Sequence, residues 1–434
     1  MLYGQNIRTS PWMTLLFSFG AILLVFCIVL YPDQAFKASL QGLSVWWKLI
    51  FPALLPFLVI SEIMMAYGFA HGLGVLLDPV MRRIFGIPGV GGWALALGWT
   101  AGFPAGAEAT AKLRKMQVLQ KHEANRLLAL SHVSNPILII VVIGVGFLQQ
   151  PHAGIALAIF HWASALLTGF ILYGISPRSK HPAEKSGTSS EVSDLSAASF
   201  ATREHEGDSN ASNLASPNSQ APKRRWQQIL EAMEQAHQAD GRTFGRLLGD
   251  AVTSAVQTLM MVGGYMMIFS IIAQILQLLF PMNIAPYWVQ GFLELHLGAY
   301  GISTADLTSN LMQMAILSGI LAWSGISAHL QVRSKTQSTD MSYIYFMLSR
   351  LLHCILAVLI TLACWNPLQL LLGRIAPSFL PVWGAQDKSH PLDWFKLMND
   401  FNAWYVLPIL FVSILGIIML LSGLMTFIRH RTSP

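Results

Sequence analysis

The chain has 434 residues, of which 54% are hydrophobic and only 11% charged, with a formal net charge of +6. So apolar a composition excludes a water-soluble globular protein of this length. The surplus cations fall in loops beside apolar runs, which excludes a basic, aromatic-interleaved nucleic-acid surface and assigns them to setting membrane orientation.

Runs long enough to cross about 30 Å of hydrocarbon recur at residues 12–31, 45–67, 127–148, 155–175, 251–280, 311–330, 342–365 and 404–427. The first exceeds a signal peptide's apolar region, and Tyr31-Pro32-Asp33-Gln34 lacks a small-residue cleavage pattern, so residues 1–40 read as a retained anchor. Residues 41–176 form a first membrane repeat, with 91–105 short enough to be a half-helix. Between 177 and 245 the apolar pattern stops, and Ser, Ala, Asn, Glu and Lys dominate, as in a disordered cytoplasmic connector. Near 225–238, Trp226, Ile229, Leu230 and Met233 recur at helical spacing. That stripe suits a helix lying on the membrane with Lys223, Arg224 and Arg225 at the headgroups, or one packed on the protein's own loops. A second repeat spans 246–365, an extracytoplasmic loop 366–403, and a last transmembrane helix with a basic tail 404–434. Clustered cations at Lys112, Arg114, Lys115, Lys121, Arg126, Arg178, Lys180, Arg333, Lys335, Arg429 and Arg431 place their loops in the cytoplasm. The fold class expected is all-α, a polytopic helical bundle with two internal repeats and discontinuous helices. The internal similarity is weak: residues 52–61 can be laid on 261–270, Leu77-Asp78 on Leu293-Glu294, and 101–105 on 324–328, as an internal duplication would give.

Two interruptions carry the functional signal. In Gly102-Phe103-Pro104-Ala105-Gly106 the glycines permit positive φ and close backbone approach, and Pro104 lacks an N–H. A freed helix N-terminus there suits a carboxylate or phosphate, unless Glu108 reaches back to cap it. In Ser131-His132-Val133-Ser134-Asn135-Pro136, Pro136 disfavours helical geometry at Asn135, and the polar side chains suit a planar, hydrogen-bonding solute. The second-half partners are Ser324, Gly325 and Ser327. Backbone freed inside a bilayer must line a cavity or be buried in protein, so these breaks are candidate substrate-binding positions. Ionisable Glu62 and Glu294 inside apolar runs are either proton or cation sites, or structural partners of a cation or freed amide. His161, His329 and His353 read as packing residues. Cys27, Cys354 and Cys364 stand singly, and no catalytic, P-loop, dinucleotide or metal pattern occurs, so no enzyme activity, cofactor or metal is expected.

The segments LLPFLVISEI (54–63), LLDPVMRRIFGIPG (76–89), GFPAGAEA (102–109) and RLLALSHVSNPILII (126–140), with GFLELHLG (291–298) and SGISAHLQV (324–332), resemble the sporulation integral membrane protein family called YlbJ or SpoVV. That family is similar in turn to the nucleoside-recognition Gate-domain group, with two such domains per chain. The resemblance implies a spore-maturation protein of endospore-forming bacteria that exports dipicolinic acid from the mother cell across the outer forespore membrane. It further implies as partners the bilayer and a small anionic solute, with a homo-oligomer or an accessory sporulation protein left open. A Gate-type transporter of nucleosides or other small solutes, and a non-transporting assembly or signalling protein, are the alternatives. The chain departs from the family pattern in its long connector and in His132, where a small polar residue is expected.

Overall fold

The computed structural model describes residues 11–175, 225–280, 284–307 and 309–375. The connector before Arg225 and the helix and tail expected at 404–434 lie outside the described residues. Among those described the protein is all-α, with five stretches long and apolar enough to cross a membrane.

α1 (Pro11–Leu30) is apolar on all sides and exposes Trp12, Phe19, Ile22, Val25 and Val29, as a lipid-facing helix does. α2 (Pro32–Val45) runs through a π-helical turn, Trp46–Ile50, into α3 (Phe51–Ala66). The widened turn precedes Pro52, whose missing N–H cannot bond back to the Lys48 carbonyl. α10 (Phe244–Leu279) packs along both helices. Trp46 Nε1 donates to Leu259 O at 2.8 Å, and Ser270 Oγ donates to Ala38 O at 2.7 Å. Lipid tails are as apolar as leucine, so such bonds and close backbone packing hold the helices together more than hydrophobic burial does.

α4 (Phe69–Ile84) turns back into α5 (Gly91–Ala101), and α9 (Arg225–Asp240) lies across α4. α9 packs on the protein. Met233 lies against Gly68 and Gly72, Ile229 is buried, and His237 stacks on Tyr67 at 4.3 Å, while Trp226 and Leu230 stay exposed. Arg225 donates to Val75 O at 3.1 Å, the carbonyl that Pro79 leaves without its helical N–H.

The remaining elements repeat one order twice. In the first half α5 and α6 (Phe103–Lys115) form a helical hairpin. α7 (Lys121–Ser131) then breaks before a π-helical segment, Leu138–Phe147, and α8 (Pro151–Ile175) runs unbroken. In the second half α11 (Pro286–Leu293) and α12 (Leu295–Ser303) form a hairpin. α13 (Asn310–Trp323) breaks into α14 (Gly325–Thr336), and α15 (Tyr343–Ile375) runs unbroken. Small residues permit both fold-backs: a Cβ on Gly106 would stand 2.8 Å from Gly98 Cα, and one on Gly298 only 2.1 Å from Gly291 Cα. α8 packs on α15 and α6 on α14, and one hydrophobic core spans both halves, including Ile139, Ile143, Leu157, Leu297, Leu317 and Leu321.

This order corrects the sequence superposition. Gly102 at the first hairpin tip corresponds to Glu294, and the 132–135 break to Ser324, so neither Leu77-Asp78 and Leu293-Glu294 nor 101–105 and 324–328 are equivalent. The last two look alike because any chain break in an apolar helix draws on the same small residues. α15 also continues through Pro367 to Ile375, where the loop expected from 366 would already have begun.

Candidate functional site

Each hairpin tip meets the break of the broken helix that follows it. Gly102 has φ 95° and ψ 175°, a conformation reserved for glycine, and a Cβ there would lie 3.6 Å from Asn135 Nδ2. At the second tip, a Cβ on Gly325, with φ 77°, would lie 2.9 Å from Glu294 Cα.

In the first break the helix resumes at Pro136, a residue pre-set for a first helical position. Asn135 Oδ1 accepts from Leu138 N at 2.8 Å, so its carbonyl caps that helix and its Nδ2 is turned to the hairpin tip. α8 grips the Ser134 backbone, with Ser134 N donating to His161 Nε2 at 3.0 Å and Trp162 Nε1 donating to Ser134 O at 3.3 Å. The Ser134 hydroxyl is buried without a partner. His132 is fully buried between the rings of Phe103 and Phe346, each centred 4.9 Å away, and neither ring nitrogen has a partner.

The second break is closed on itself. Ser324 takes a left-handed φ of 70°, and its Oγ donates to Leu321 O at 3.1 Å. His329 Nε2 lies 3.1 Å from Trp323 O, at the end of α13, and Ser327 is buried one turn into α14. Buried Glu294 caps α12, accepting from Leu297 N at 2.8 Å through Oε2, with His296 Nδ1 2.8 Å from Oε1. Of the two roles the sequence leaves open for it, this geometry is that of a partner to a freed amide.

The other carboxylates stand elsewhere. Glu62 is half-buried on α3 and acts electrostatically on Arg242. Glu108 is exposed, 2.7 Å from Lys335 Nζ on α14, and does not cap α6. With Gly102 as the cap residue, the third helical position is Ala105, so Glu108 lies nearly a turn too far along to reach back. The ends of α6 and α14 are joined again by Arg114, which donates to Asp340 at 2.8 and 3.0 Å and holds that carboxyl below the usual carboxylate range.

Sequence reading passed over Arg350. This wholly buried residue of α15 donates to the carbonyls of Ala129 and His132, at the C-terminal end of α7, and its NH1 lies 3.1 Å from His353 Nδ1. His353 Nε2 in turn is 3.0 Å from both His161 O and Ser164 Oγ. The signal was available, since Arg350 is an ionisable residue inside an apolar run, the criterion that selected Glu62 and Glu294. Among the described residues no group of three His, Cys, Asp or Glu side chains is placed to hold a metal ion. A cavity of about 80 Å³ between α4 and α9, lined by His71, Asp78, Trp93 and Arg225, includes none of the break residues.

A family model described as Gate, nucleoside recognition, matches residues 47–150, a stretch that contains the first hairpin and the first break. The sporulation integral membrane protein YlbJ of Bacillus subtilis (strain 168) is 33% identical over 373 residues, covering 82% of this chain and 83% of that protein. No solved structure matches.

Proposed function

Because the chain belongs to the family of the sporulation integral membrane protein YlbJ, we propose that this integral membrane protein moves a small organic anion, dipicolinate, from the mother cell across the outer forespore membrane. The observation that carries this reading is the pair of hairpin tips set against two broken helices inside an apolar bundle. Non-helical backbone at membrane depth is tolerated where it is buried in protein or lines a solute path, and discontinuous helices facing one another are the usual build of a secondary transporter's site.

Gly102, Phe103, Pro104 and Gly106 supply the freed end of α6, whose partial positive charge favours a carboxylate. Ser134, Asn135 and Pro136 lie opposite, with Ser324, Gly325 and Ser327 as their second-half counterparts. Dipicolinate is a planar dianion with a ring nitrogen, which matches a site of amide and hydroxyl groups. No catalysis, cofactor or nucleic acid enters this reading. The Gate match over 47–150 supports a second one, in which the same site carries a nucleoside.

The test is flux of labelled dipicolinate into liposomes holding the purified protein, with uridine in parallel. Saturable dipicolinate uptake that falls at least tenfold in Asn135→Ala is the expected result, because the variant loses both the Leu138 cap and the amide at the hairpin tip. Saturable uridine uptake alone would favour the nucleoside reading, and no flux of either solute would sink transport by this chain alone.

A further inference from the structure

Three helix ends meet at the first break. α7 points its C-terminal end into it, and the partial charge near −0.5 of that end works against the positive N-terminal ends of α6 and of the helix that resumes at Pro136. Arg350 bonds two carbonyls of that end, Ala129 O and His132 O, and brings a full positive charge. The charge that remains is positive. Among the described residues no carboxylate bonds Arg350, whose partners are those carbonyls and His353. A buried cation is normally matched by a buried acid, because burial without compensation costs several kcal/mol. Among the described residues the matching anion is missing from this bonding.

The side chains beside the carbonyl that Arg350 holds are also unfinished. His132 contributes the carbonyl that Arg350 binds, yet both its ring nitrogens are buried without partners, and two residues on the Ser134 hydroxyl is in the same condition. Buried polar atoms are nearly always satisfied, so the Ser134 hydroxyl and the one N–H that a neutral His132 ring carries, both open beside a cation that no carboxylate of the described residues balances, mark the place of a ligand that accepts hydrogen bonds and carries negative charge. Phe103, at the hairpin tip, lies on the His132 ring and covers it.

We infer that Arg350 is the fixed counter-charge of the transport site, positioning the α7 break to select a small carboxylate anion over a neutral solute, with Ser134 Oγ and the His132 ring as the groups that contact the anion. This rests on the transport reading above and adds to it the residues that set charge selectivity. Arg350 acts through the carbonyls it holds and through its field, and Ser134 and His132 act by contact.

The experiment uses the full chain in proteoliposomes and measures the ratio of dipicolinate to uridine uptake at equal concentration, with melting temperature in detergent as the control for folding. Arg350→Lys keeps the charge and should keep most of the wild-type ratio, whereas Arg350→Met should lower it at least tenfold. Ser134→Ala provides the second variant. Removing an unpartnered buried hydroxyl costs the fold nothing, so its melting temperature should stay level while its KM for dipicolinate rises about tenfold. An unchanged ratio in Arg350→Met, or an Arg350→Met that does not fold together with an unchanged KM in Ser134→Ala, would overturn the assignment and leave Arg350 a helix brace. A wild-type protein that takes up neither solute would instead refute the transport reading on which the assignment stands.

Discussion

The two halves of the molecule build the same three-part unit and finish it differently. In the second half Glu294 closes on Leu297 N and His296, Ser324 on Leu321 O, and His329 on Trp323 O. In the first half the backbone is held by α8 and α15, but Ser134 Oγ and the His132 ring are left open. At the breaks themselves, the second repeat is closed by these bonds and the first carries open polar atoms. The difference teaches that a duplicated fold can divide its work, spending hydrogen-bonding capacity on rigidity at one break and leaving it open at the other.

The strongest way to break the comparison is at the hairpins, where the halves are expected to agree. Gly98→Val and Gly298→Val each force a side chain into the backbone or carbonyl of an adjoining segment. Both should destabilise by about 3 kcal/mol or more, beyond the usual overpacking cost of about 1–3 kcal/mol because backbone cannot move aside. Loss of a monodisperse peak in detergent chromatography for both is expected, and a well-folded Gly298→Val would show that α11 and α12 do not pack as arms of one hairpin. Next in size, Glu294→Ala strips a buried cap and should cost about 2–3 kcal/mol in thermal unfolding. Since Ser134→Ala should cost nothing, equal melting temperatures for these two variants would erase the distinction between a closed and an open break.

The smallest effect lies outside the membrane. Arg114 lowers the Asp340 pKa, so the pair contributes stability above the ordinary carboxylate range near pH 4, and that contribution is lost as pH falls through the depressed value. The Asp340 side chain is 49% exposed, and solvent screening limits the effect to about 0.5 kcal/mol. The melting-temperature gap between the wild type and Asp340→Asn should be present at pH 6 and close toward pH 3. A gap that widens on acidification would mean that Asp340 is not held as a carboxylate.

Much of this architecture was legible in the chain because its signals are local. Apolar run lengths mark the membrane helices, and Gly102 and Pro136 mark the breaks through their own backbone restrictions, with no knowledge of neighbours required. What escaped reading depends on contact. Whether α5 and α6 run straight on or fold back is decided by Gly98 meeting Gly106, and the same pattern of small residues serves a straight helix packed on another. The correspondence of Gly102 with Glu294 is hidden because one tip uses glycine's backbone freedom and the other a carboxylate cap, two unlike residues solving one problem. Arg350 and His132 are 218 residues apart, and nothing in the immediate sequence of either names the other. Glu108 stayed open for a simpler reason, since the cap residue had to be placed before the reach of its side chain could be judged.

The seating of α9 bears on how such a chain is assembled. By sequence it leads into the second half, yet by contact it belongs to the first, with Arg225 on the carbonyl that Pro79 leaves free and His237 Nδ1 3.2 Å from Ala66 O. During synthesis the notch on α4 exists before α9 is made, so the later half is threaded from a fixed point on a finished template. Its helices then search for partners at a high local concentration, because the tether that counts starts at Asp240 and is only a few residues long.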